Sequence, residues 1–174
     1  MAKSVQTLYH GIEFRSKLEA RWARFWDSVG WRWQYEPERF GEYLPDFLLM
    51  THKVDMLVEI KPEKSMARLE RHRLGIENST WDGWAMLCGD GPIKWKDFHS
   101  MHAIGLTKYL GDVIGETQRW DPCFAYRCKR CRYVDLVESS LFQNSTMAAG
   151  CVHVWSEVEF LDAEKKWKVK KDDG

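Results

Sequence analysis

Two adjoining stretches set the architecture of this sequence, Tyr43-Leu-Pro-Asp-Phe-Leu-Leu-Met50 and Val54-Asp-Met-Leu-Val-Glu-Ile-Lys-Pro62. Each contains a short apolar run, Phe47–Met50 in the first and Met56–Val58 in the second, which is typical of a β-strand with a buried face. The few residues between them are enough for a tight turn. The pattern therefore predicts two antiparallel neighbouring strands, and Pro62 ends the second because proline cannot donate to a sheet ladder.

Helix and strand patterns surround this pair. Residues 16–29 show an apolar stripe at helical spacing and are followed by a glycine, which predicts a helix. Residues 31–36 alternate apolar and polar side chains, as a half-buried strand does. Residues 63–74 predict a second helix that Gly75 closes, and residues 84–88 predict a central strand. The predicted order is helix, three strands, helix, strand, in a mixed α/β fold.

The pattern weakens in the second half of the chain. Residues 98–110 predict a helix, although Gly105 lies inside it, and from Cys123 onward the composition shifts to cysteine, arginine and short strand-like pieces. Residues 1–13 are expected to form an irregular lead-in. The expected units are a core at residues 1–95, a connecting segment at 96–122, a C-terminal module at 123–160 and a charged tail at 161–174.

Composition excludes several classes of protein. The chain has 174 residues, with 26 Lys+Arg against 26 Asp+Glu, 44% hydrophobic residues and 30% charged residues. This length can bury a core without crosslinks, and the composition is that of neither a disordered nor a membrane-spanning chain. The N-terminus lacks the apolar run of a secretory signal, so we expect a cytoplasmic protein. In that compartment five cysteines favour metal binding over disulfides.

Asp46, Glu59 and Lys61 form the most informative pattern. On a strand, Glu59 and Lys61 point to the same side, and Asp46 belongs to the neighbouring strand. Two carboxylates and a backbone carbonyl are oxygen ligands suited to Mg²⁺, and a nearby lysine can position a water and offset charge on a phosphate. Such a set can hydrolyse a phosphodiester bond. The other interpretation is a salt bridge on an exposed strand face, because Val-Glu-Ile-Lys alone is a weak signal.

Four short motifs occur in order: Phe14-Arg-Ser-Lys-Leu-Glu-Ala-Arg-Trp22, Tyr35-Glu-Pro37, Tyr43-Leu-Pro-Asp-Phe47 and Val58-Glu-Ile-Lys-Pro62. Together they resemble the PD-(D/E)XK nuclease superfamily, and within it the small phage-type and transposon-end-cleaving endonucleases. The resemblance covers about residues 11–90, half of the chain. It implies a restriction-endonuclease-like mixed sheet core of order αβββαβ and the activity of an endodeoxyribonuclease that depends on Mg²⁺ or Mn²⁺.

The resemblance also implies roles for individual residues. Asp46 and Glu59 match the metal ligands, which the carbonyl of Ile60 completes, and Lys61 matches the catalytic lysine. Glu19 matches an acidic residue that many members place on the first helix, facing the metal.

Glu19 has a second interpretation. Ser16 and Glu19 have the spacing of a capping box, in which the Glu19 carboxylate bonds back to the backbone of Ser16. The sequence favours the metal-site role, and a capping role stays open.

Basic residues follow the predicted site and also surround the C-terminal cysteines. Those after the site fall at helical spacings of four and three, which predicts one stripe able to contact a phosphate backbone. An ordinary solvated helix face is the alternative. The residues expected to contact nucleic acid are Lys64, Arg68, Arg71, Arg127, Lys129 and Arg130.

The C-terminal part carries a candidate zinc site. Cys128-Lys-Arg-Cys131 supplies a Cys-x-x-Cys turn, and Cys151-Val-His153 supplies two further ligands at a strand-like spacing. Four protein ligands leave no open position, so this Zn²⁺ would be structural, in a zinc-ribbon-like module. Cys123 is an alternative to His153, and four unconnected residues are the other interpretation.

The favoured function is therefore that of a metal-dependent nuclease, an endonuclease acting on DNA, with a homodimer possible where both strands are cut. One alternative is a non-catalytic, zinc-containing nucleic-acid-binding module. The others keep the chemistry but make RNA the substrate, or make the chain a nicking subunit that needs a partner. Clustered carboxylates favour an enzyme, because they do not help a protein to bind phosphate.

Overall fold

The computed structural model describes residues 6–51, 54–94, 102–111, 119–128, 134–138 and 152–154. Within these ranges the protein is a mixed α/β structure with one large sheet. The strands in chain order are β1 (Thr7–Tyr9), β2 (Ile12–Phe14), β3 (Arg32–Tyr35), β4 (Phe47–Met50), β5 (Asp55–Ile60), β6 (Trp84–Cys88), β7 (Ile93–Lys94), β8 (His102–Ala103), β9 (Gly105–Tyr109), β10 (Asp121–Cys128), β11 (Val134–Glu138) and β12 (Val152–Val154).

The large sheet has eight strands in the described part of the chain. Seven of them follow the order β11-β10-β9-β6-β5-β4-β3, and the eighth, β12, pairs with β10. Strands β4 and β5 are antiparallel neighbours, as their sequence pattern predicted. Strand β3 pairs antiparallel with β4, and β5 pairs in parallel with β6. Strand β6 lies between β5 and β9, which confirms the prediction of a central strand there. The separate pairs β1–β2 and β7–β8 are antiparallel.

Helix α1 (Lys17–Val29) confirms the helix predicted over residues 16–29. Ser16 is its N-cap, and the Ser16 Oγ accepts a hydrogen bond from the Glu19 amide at 3.1 Å. Gly30 ends the helix with a left-handed φ of 80°. A residue with a side chain is strained in that conformation, which is why glycine is the usual residue after a helix end.

The second helical segment consists of α2 (Met66–Leu69), a 3-10 turn (Glu70–His72) and α3 (Arg73–Glu77). The helix predicted over residues 63–74 is thus displaced toward the C-terminus. Gly75 lies inside α3 and does not close it, contrary to the prediction. The glycine signal was misleading because an isolated glycine is tolerated within a helix at a cost of about 1 kcal/mol.

Both faces of the large sheet are covered at β5, as the side chains of this strand show. Met56, Val58 and Ile60 belong to a cluster with the aromatic side chains of α1, of which Trp22 is fully buried. Leu57, which points to the opposite face, belongs to a second cluster with buried residues of α2 and α3. A central strand that is buried on both faces has a continuous run of apolar residues in its sequence. This explains the apolar run Met56–Val58 in β5.

The N-terminal hairpin replaces the irregular lead-in expected over residues 1–13. Strands β1 and β2 are joined through His10 and Gly11, whose φ angles are 49° and 77°. Two consecutive positive φ angles are typical of a type I′ hairpin turn, which matches the twist of the flanking strands. Phe14 at the end of β2 is fully buried against the core. Gly11 was therefore the sequence signal for this turn, and the prediction of an irregular segment overlooked it.

The helix predicted over residues 98–110 is wrong across its described part, which forms β8 and β9. Gly105 begins β9, where an added Cβ would lie 2.3 Å from the carbonyl oxygen of Leu87. A glycine inside a strand often marks such a close approach of two backbones. The local sequence signal is weak here, and pairing with the central strand β6 decides the conformation.

The large sheet continues beyond the core expected at residues 1–95. Strand β9 pairs with β6 on one side and with β10 on the other. Cys123 and Phe124 of β10 are fully buried. The boundaries expected between residues 95 and 123 therefore do not coincide with a break in the sheet. The tail expected at 161–174 lies outside the described residues.

Glu77 joins α3 to the sheet. Burial alone would raise its pKa, but hydrogen bonds from Lys108 (2.7 Å) and Trp120 (2.9 Å), with the charges of Lys108 and Arg73, lower it. Since the folded-state pKa lies below the ordinary 4.5, the contribution to stability is present above pH 4.5 and is lost as pH falls through the lowered value. We expect Glu77→Gln to cost about 1 kcal/mol at pH 7 and progressively less toward pH 3.

Chemical denaturation at several pH values measures this effect, with Glu70→Gln as the matched control because Glu70 is exposed in the adjoining 3-10 turn. A cost for Glu77→Gln that stays constant from pH 7 to pH 3 would contradict the assignment.

No helix in the described ranges has the length and apolar character that crossing a membrane requires.

Candidate active site

Three elements bring carboxylates together at one end of the sheet. Asp46 directly precedes β4, Glu59 is the penultimate residue of β5, and Glu19 lies in the first turn of α1. The register of β4 against β5 places Phe47 opposite Val58, so Asp46 comes beside the end of β5. The Ile60 amide donates a hydrogen bond to Asp46 Oδ2 at 2.7 Å, which ties the two strand ends together.

Asp46 is buried beside two other carboxylates. Its relative exposure is 4%. Burial, followed by the charge of Glu59 and then that of Glu19, raises its pKa to about 7, against the opposing effects of the Ile60 amide and the Lys61 charge. A buried carboxylate facing other carboxylates is destabilised by mutual repulsion, and a bound cation would relieve that repulsion.

Glu59 and Lys61 point to the same side of the chain, as the strand spacing predicted. Lys61 Nζ forms an ion pair with Glu59 Oε1, and the Tyr43 hydroxyl donates to Glu59 Oε2 at 2.5 Å. Burial and the Glu59 charge raise the pKa of Tyr43, so it stays protonated as a donor. The Lys61 amide donates to the Cys88 carbonyl at 2.9 Å, which fixes the lysine to the end of the central strand β6.

Glu19 combines elements of both interpretations of its sequence. Its amide is capped by Ser16, but its carboxylate accepts a hydrogen bond from the Tyr35 hydroxyl at 2.7 Å and does not fold back on Ser16. Glu19 is 7% exposed, and its charge contributes to the raised pKa of Asp46. The side chain therefore belongs electrostatically to the carboxylate cluster.

Three side chains at the site had no role assigned from the sequence, namely Arg15, Tyr35 and Tyr43. Arg15 Nη2 lies 2.5 Å from Asp46 Oδ1, and its Nε lies 2.8 Å from Glu36 Oε1. Burial and the bond to Glu19 raise the pKa of Tyr35 to about 12, although two hydrogen bonds from Arg15 lower it. All three residues belong to the sequence motifs from which the site was predicted. Their place in these motifs was the signal that could have identified them.

The donor set fits a hard divalent cation in its chemistry. Asp46, Glu59, Glu19 and the carbonyl of Ile60 are oxygen donors, which Mg²⁺ and Mn²⁺ prefer. Within the part of the chain that the structure describes, no three His, Cys, Asp or Glu side chains are arranged to hold a metal ion. The carboxylates are instead paired with Arg15, Lys61 and tyrosine hydroxyls. Binding of a cation by these residues would therefore require exchange of existing partners.

The basic residues after the site do not form the single helical stripe that their spacing predicted. Lys64 precedes α2, and the 3-10 turn interrupts the spacing between Arg68 and Arg71. All three are exposed, with 85% of the Lys64 side chain accessible, and Lys64 Nζ lies 3.8 Å from Asp90 Oδ2. They remain a charged surface near the end of β5, without regular spacing.

Two of the four predicted zinc ligands lie outside the described residues. Cys131 and Cys151, as well as the basic residues Lys129 and Arg130, are not described. The backbone pairing of β10 with β12 places Cys128 opposite Val152, and Arg127 opposite His153.

Cys123, the alternative to His153 as a zinc ligand, belongs to the core. It is fully buried, and its sulfur lies 3.7 Å from that of Met86. It stands in the part of β10 that pairs with β9, and this position favours His153 over Cys123 as the fourth ligand.

Comparison of the chain with protein-family models, with curated proteins and with solved structures finds no match. A functional assignment therefore has to be based on the chemistry of the site.

Proposed function

We propose that this protein is a metal-dependent nuclease that hydrolyses phosphodiester bonds in DNA, acting as an endonuclease. The observation that carries the proposal is the juxtaposition of Asp46, Glu59 and Lys61 at adjoining strand ends, joined by the bond from the Ile60 amide to Asp46. Glu19 adds a third carboxylate from α1. A lysine beside clustered acids at the end of a sheet suits a reaction in which negative charge develops on phosphorus-bound oxygens.

The finer fold that we propose is restriction-endonuclease-like. Its support is the order of elements: α1, the antiparallel strands β3 to β5, the helical segment of α2 and α3, and the parallel strand β6. The sheet is covered by α1 on one face and by the second helical segment on the other.

Each residue of the site then has a role. Asp46, Glu59, Glu19 and the Ile60 carbonyl would hold Mg²⁺ or Mn²⁺, which when bound neutralises phosphate charge and makes water more acidic. Lys61 donates to the attacking water or to a phosphate oxygen. Tyr43 orients Glu59 through their hydrogen bond, and so it acts as a positioning residue.

The same geometry argues against a protein that only binds nucleic acid. Phosphate and carboxylate repel each other, so buried acids such as Asp46 would weaken simple backbone binding. The exposed residues Lys64, Arg68 and Arg71 supply positive charge next to the acids, which suits a substrate that must be drawn to a negatively charged site.

A cleavage assay tests the proposal. Supercoiled plasmid, linear duplex, single-stranded DNA and a structured RNA are each incubated with Mg²⁺, Mn²⁺ or EDTA, and Lys61→Ala is run beside the wild type. We expect plasmid to be cut only with a divalent cation, and the rate to fall at least about 100-fold in Lys61→Ala. Faster cutting of RNA would reassign the substrate. Folded wild type that cuts nothing would overturn the stand-alone enzyme.

We also propose a structural Zn²⁺ held by Cys128, Cys131, Cys151 and His153. Its support is the antiparallel pairing of β10 with β12, because this register brings the two sequence halves of the motif to neighbouring strands. Arg127, Lys129 and Arg130 would then form a basic surface around the metal.

Metal analysis of the purified protein tests the zinc proposal. We expect one Zn²⁺ per chain, lost in Cys131→Ser with a lower melting temperature, because a structural metal site contributes directly to folding. Cys123→Ala is the matched control and should keep its zinc. Wild type without zinc after purification under reducing conditions, or zinc retained in Cys131→Ser, would refute it.

A further inference from the structure

Arg15 occupies the place at Asp46 where a cation is needed. It lies between β2 and the N-cap of α1, and its Nη2 is 2.5 Å from Asp46 Oδ1. Its Nε contacts Glu36 at 2.8 Å, and its amide donates to the Tyr35 hydroxyl at 3.0 Å. Arg15 is thus held at the end of β3 by Tyr35 and Glu36, while its Nη2 contacts Asp46.

The two oxygens of Asp46 are not equivalent. Oδ2 accepts the hydrogen bond from the Ile60 amide, which is part of the contact between the ends of β4 and β5. Oδ1 faces Arg15. A divalent cation that binds Asp46 through Oδ1 leaves the strand contact at Oδ2 in place, and it takes the position that Arg15 Nη2 occupies.

Arg15 also reaches solvent, unlike the acid that it contacts. Its side chain is 55% exposed, against 6% for Asp46. A guanidinium released from a carboxylate keeps a planar set of donors that matches a phosphate, and arginine binds both groups in the same forked geometry. The contact with Glu36 would keep the released guanidinium beside the site.

We propose that Arg15 binds a backbone phosphate of the nucleic acid next to the scissile bond, and that in the absence of a divalent cation it occupies Asp46 Oδ1 in the cation's place. This inference rests on the proposed nuclease function. Binding of the cation and release of Arg15 toward substrate are then one coupled exchange at Asp46. The alternative is that the Arg15–Asp46 pair only stabilises the fold.

The first measurement is the affinity for Mn²⁺ without nucleic acid, by isothermal titration calorimetry. Removal of a competing guanidinium should tighten binding, so we expect Arg15→Ala and Arg15→Gln to bind Mn²⁺ about 5- to 10-fold more tightly than wild type. Arg32→Ala is the matched control, because Arg32 is exposed at the opposite end of β3. Asp46→Asn should abolish the binding event. A purely structural pair predicts unchanged or weaker Mn²⁺ binding in both Arg15 variants.

The second measurement is made with saturating metal. Because the phosphate contact is lost, Arg15→Ala should cleave duplex DNA about 100-fold more slowly than wild type. It should also bind duplex more weakly in Ca²⁺, whereas Arg32→Ala should match wild type in both assays. Tighter Mn²⁺ binding together with slower cleavage supports the proposal. Unchanged or weaker Mn²⁺ binding in both Arg15 variants, or full cleavage and duplex binding at saturating metal, overturns it.

The two proposals fail in different ways. If Asp46→Asn leaves Mn²⁺ binding unaltered, Asp46 is not a metal ligand. The proposed exchange of Arg15 for a cation at Asp46 is then overturned as well. If wild type binds Mn²⁺ at Asp46 and cleaves no substrate, the nuclease proposal is overturned. In that case the calorimetry alone still decides whether Arg15 competes for the cation.

Discussion

Asp46→Asn is expected to reduce cleavage by about 1,000-fold or more while leaving the melting temperature unchanged or higher. The asparagine carbonyl can still accept the Ile60 amide hydrogen bond, but it no longer offers a negative oxygen to a cation. Burial and the charges of Glu59 and Glu19 destabilise the Asp46 carboxylate in the folded protein. A neutral side chain relieves that repulsion, which offsets the loss of the ion pair with Arg15. A functional site often carries such a cost to stability.

The matched control is Asp55→Asn. Asp55 begins β5, is exposed, and lies at the opposite end of that strand from Glu59. Rates on supercoiled plasmid and melting curves by circular dichroism should separate the two variants clearly. A parallel loss of activity and stability in Asp46→Asn would show that the buried acid serves the fold, and equal activity in the two variants would show that it is not needed for cleavage.

Gly105→Ala is expected to destabilise the protein by about 2–3 kcal/mol, a fall in melting temperature of roughly 4–12 °C. The added Cβ would lie 2.3 Å from the Leu87 carbonyl oxygen and 3.3 Å from Met86 Cγ. The first of these contacts is with backbone, which cannot move aside as a flexible side chain does. Strands β6 and β9 would have to separate, in the middle of the large sheet.

Gly75→Ala is the contrasting substitution. Its Cβ would meet the Tyr43 ring at 3.4 Å, an ordinary van der Waals distance, and alanine favours the helix. We expect it to stabilise the protein by up to about 1 kcal/mol. Urea denaturation of both variants measures the difference. Equal stability of Gly105→Ala and wild type would mean that β9 does not approach β6 as closely as the structure indicates.

Strong local signals explain which elements could be predicted from the chain. Helix α1 has an apolar stripe, a serine cap and a terminal glycine, all of which act within a few residues. The same is true of β4 and β5, whose apolar runs need no distant partner to be recognised. The weakly patterned residues of β9 take their conformation from β6 and β10, and no local rule could supply that information.

The candidate site divides in the same way. Strand periodicity and a short turn are local properties, and from them it could be predicted that Glu59 and Lys61 lie on one side of a strand, with Asp46 beside its neighbour. The contacts of Arg15 and Tyr35 with the cluster join the start of α1 to strand ends that are distant in sequence, so they could be found only in the folded protein. The register of the paired strands and the burial of the acids bring the carboxylates close to one another. Both depend on the packing of the whole chain.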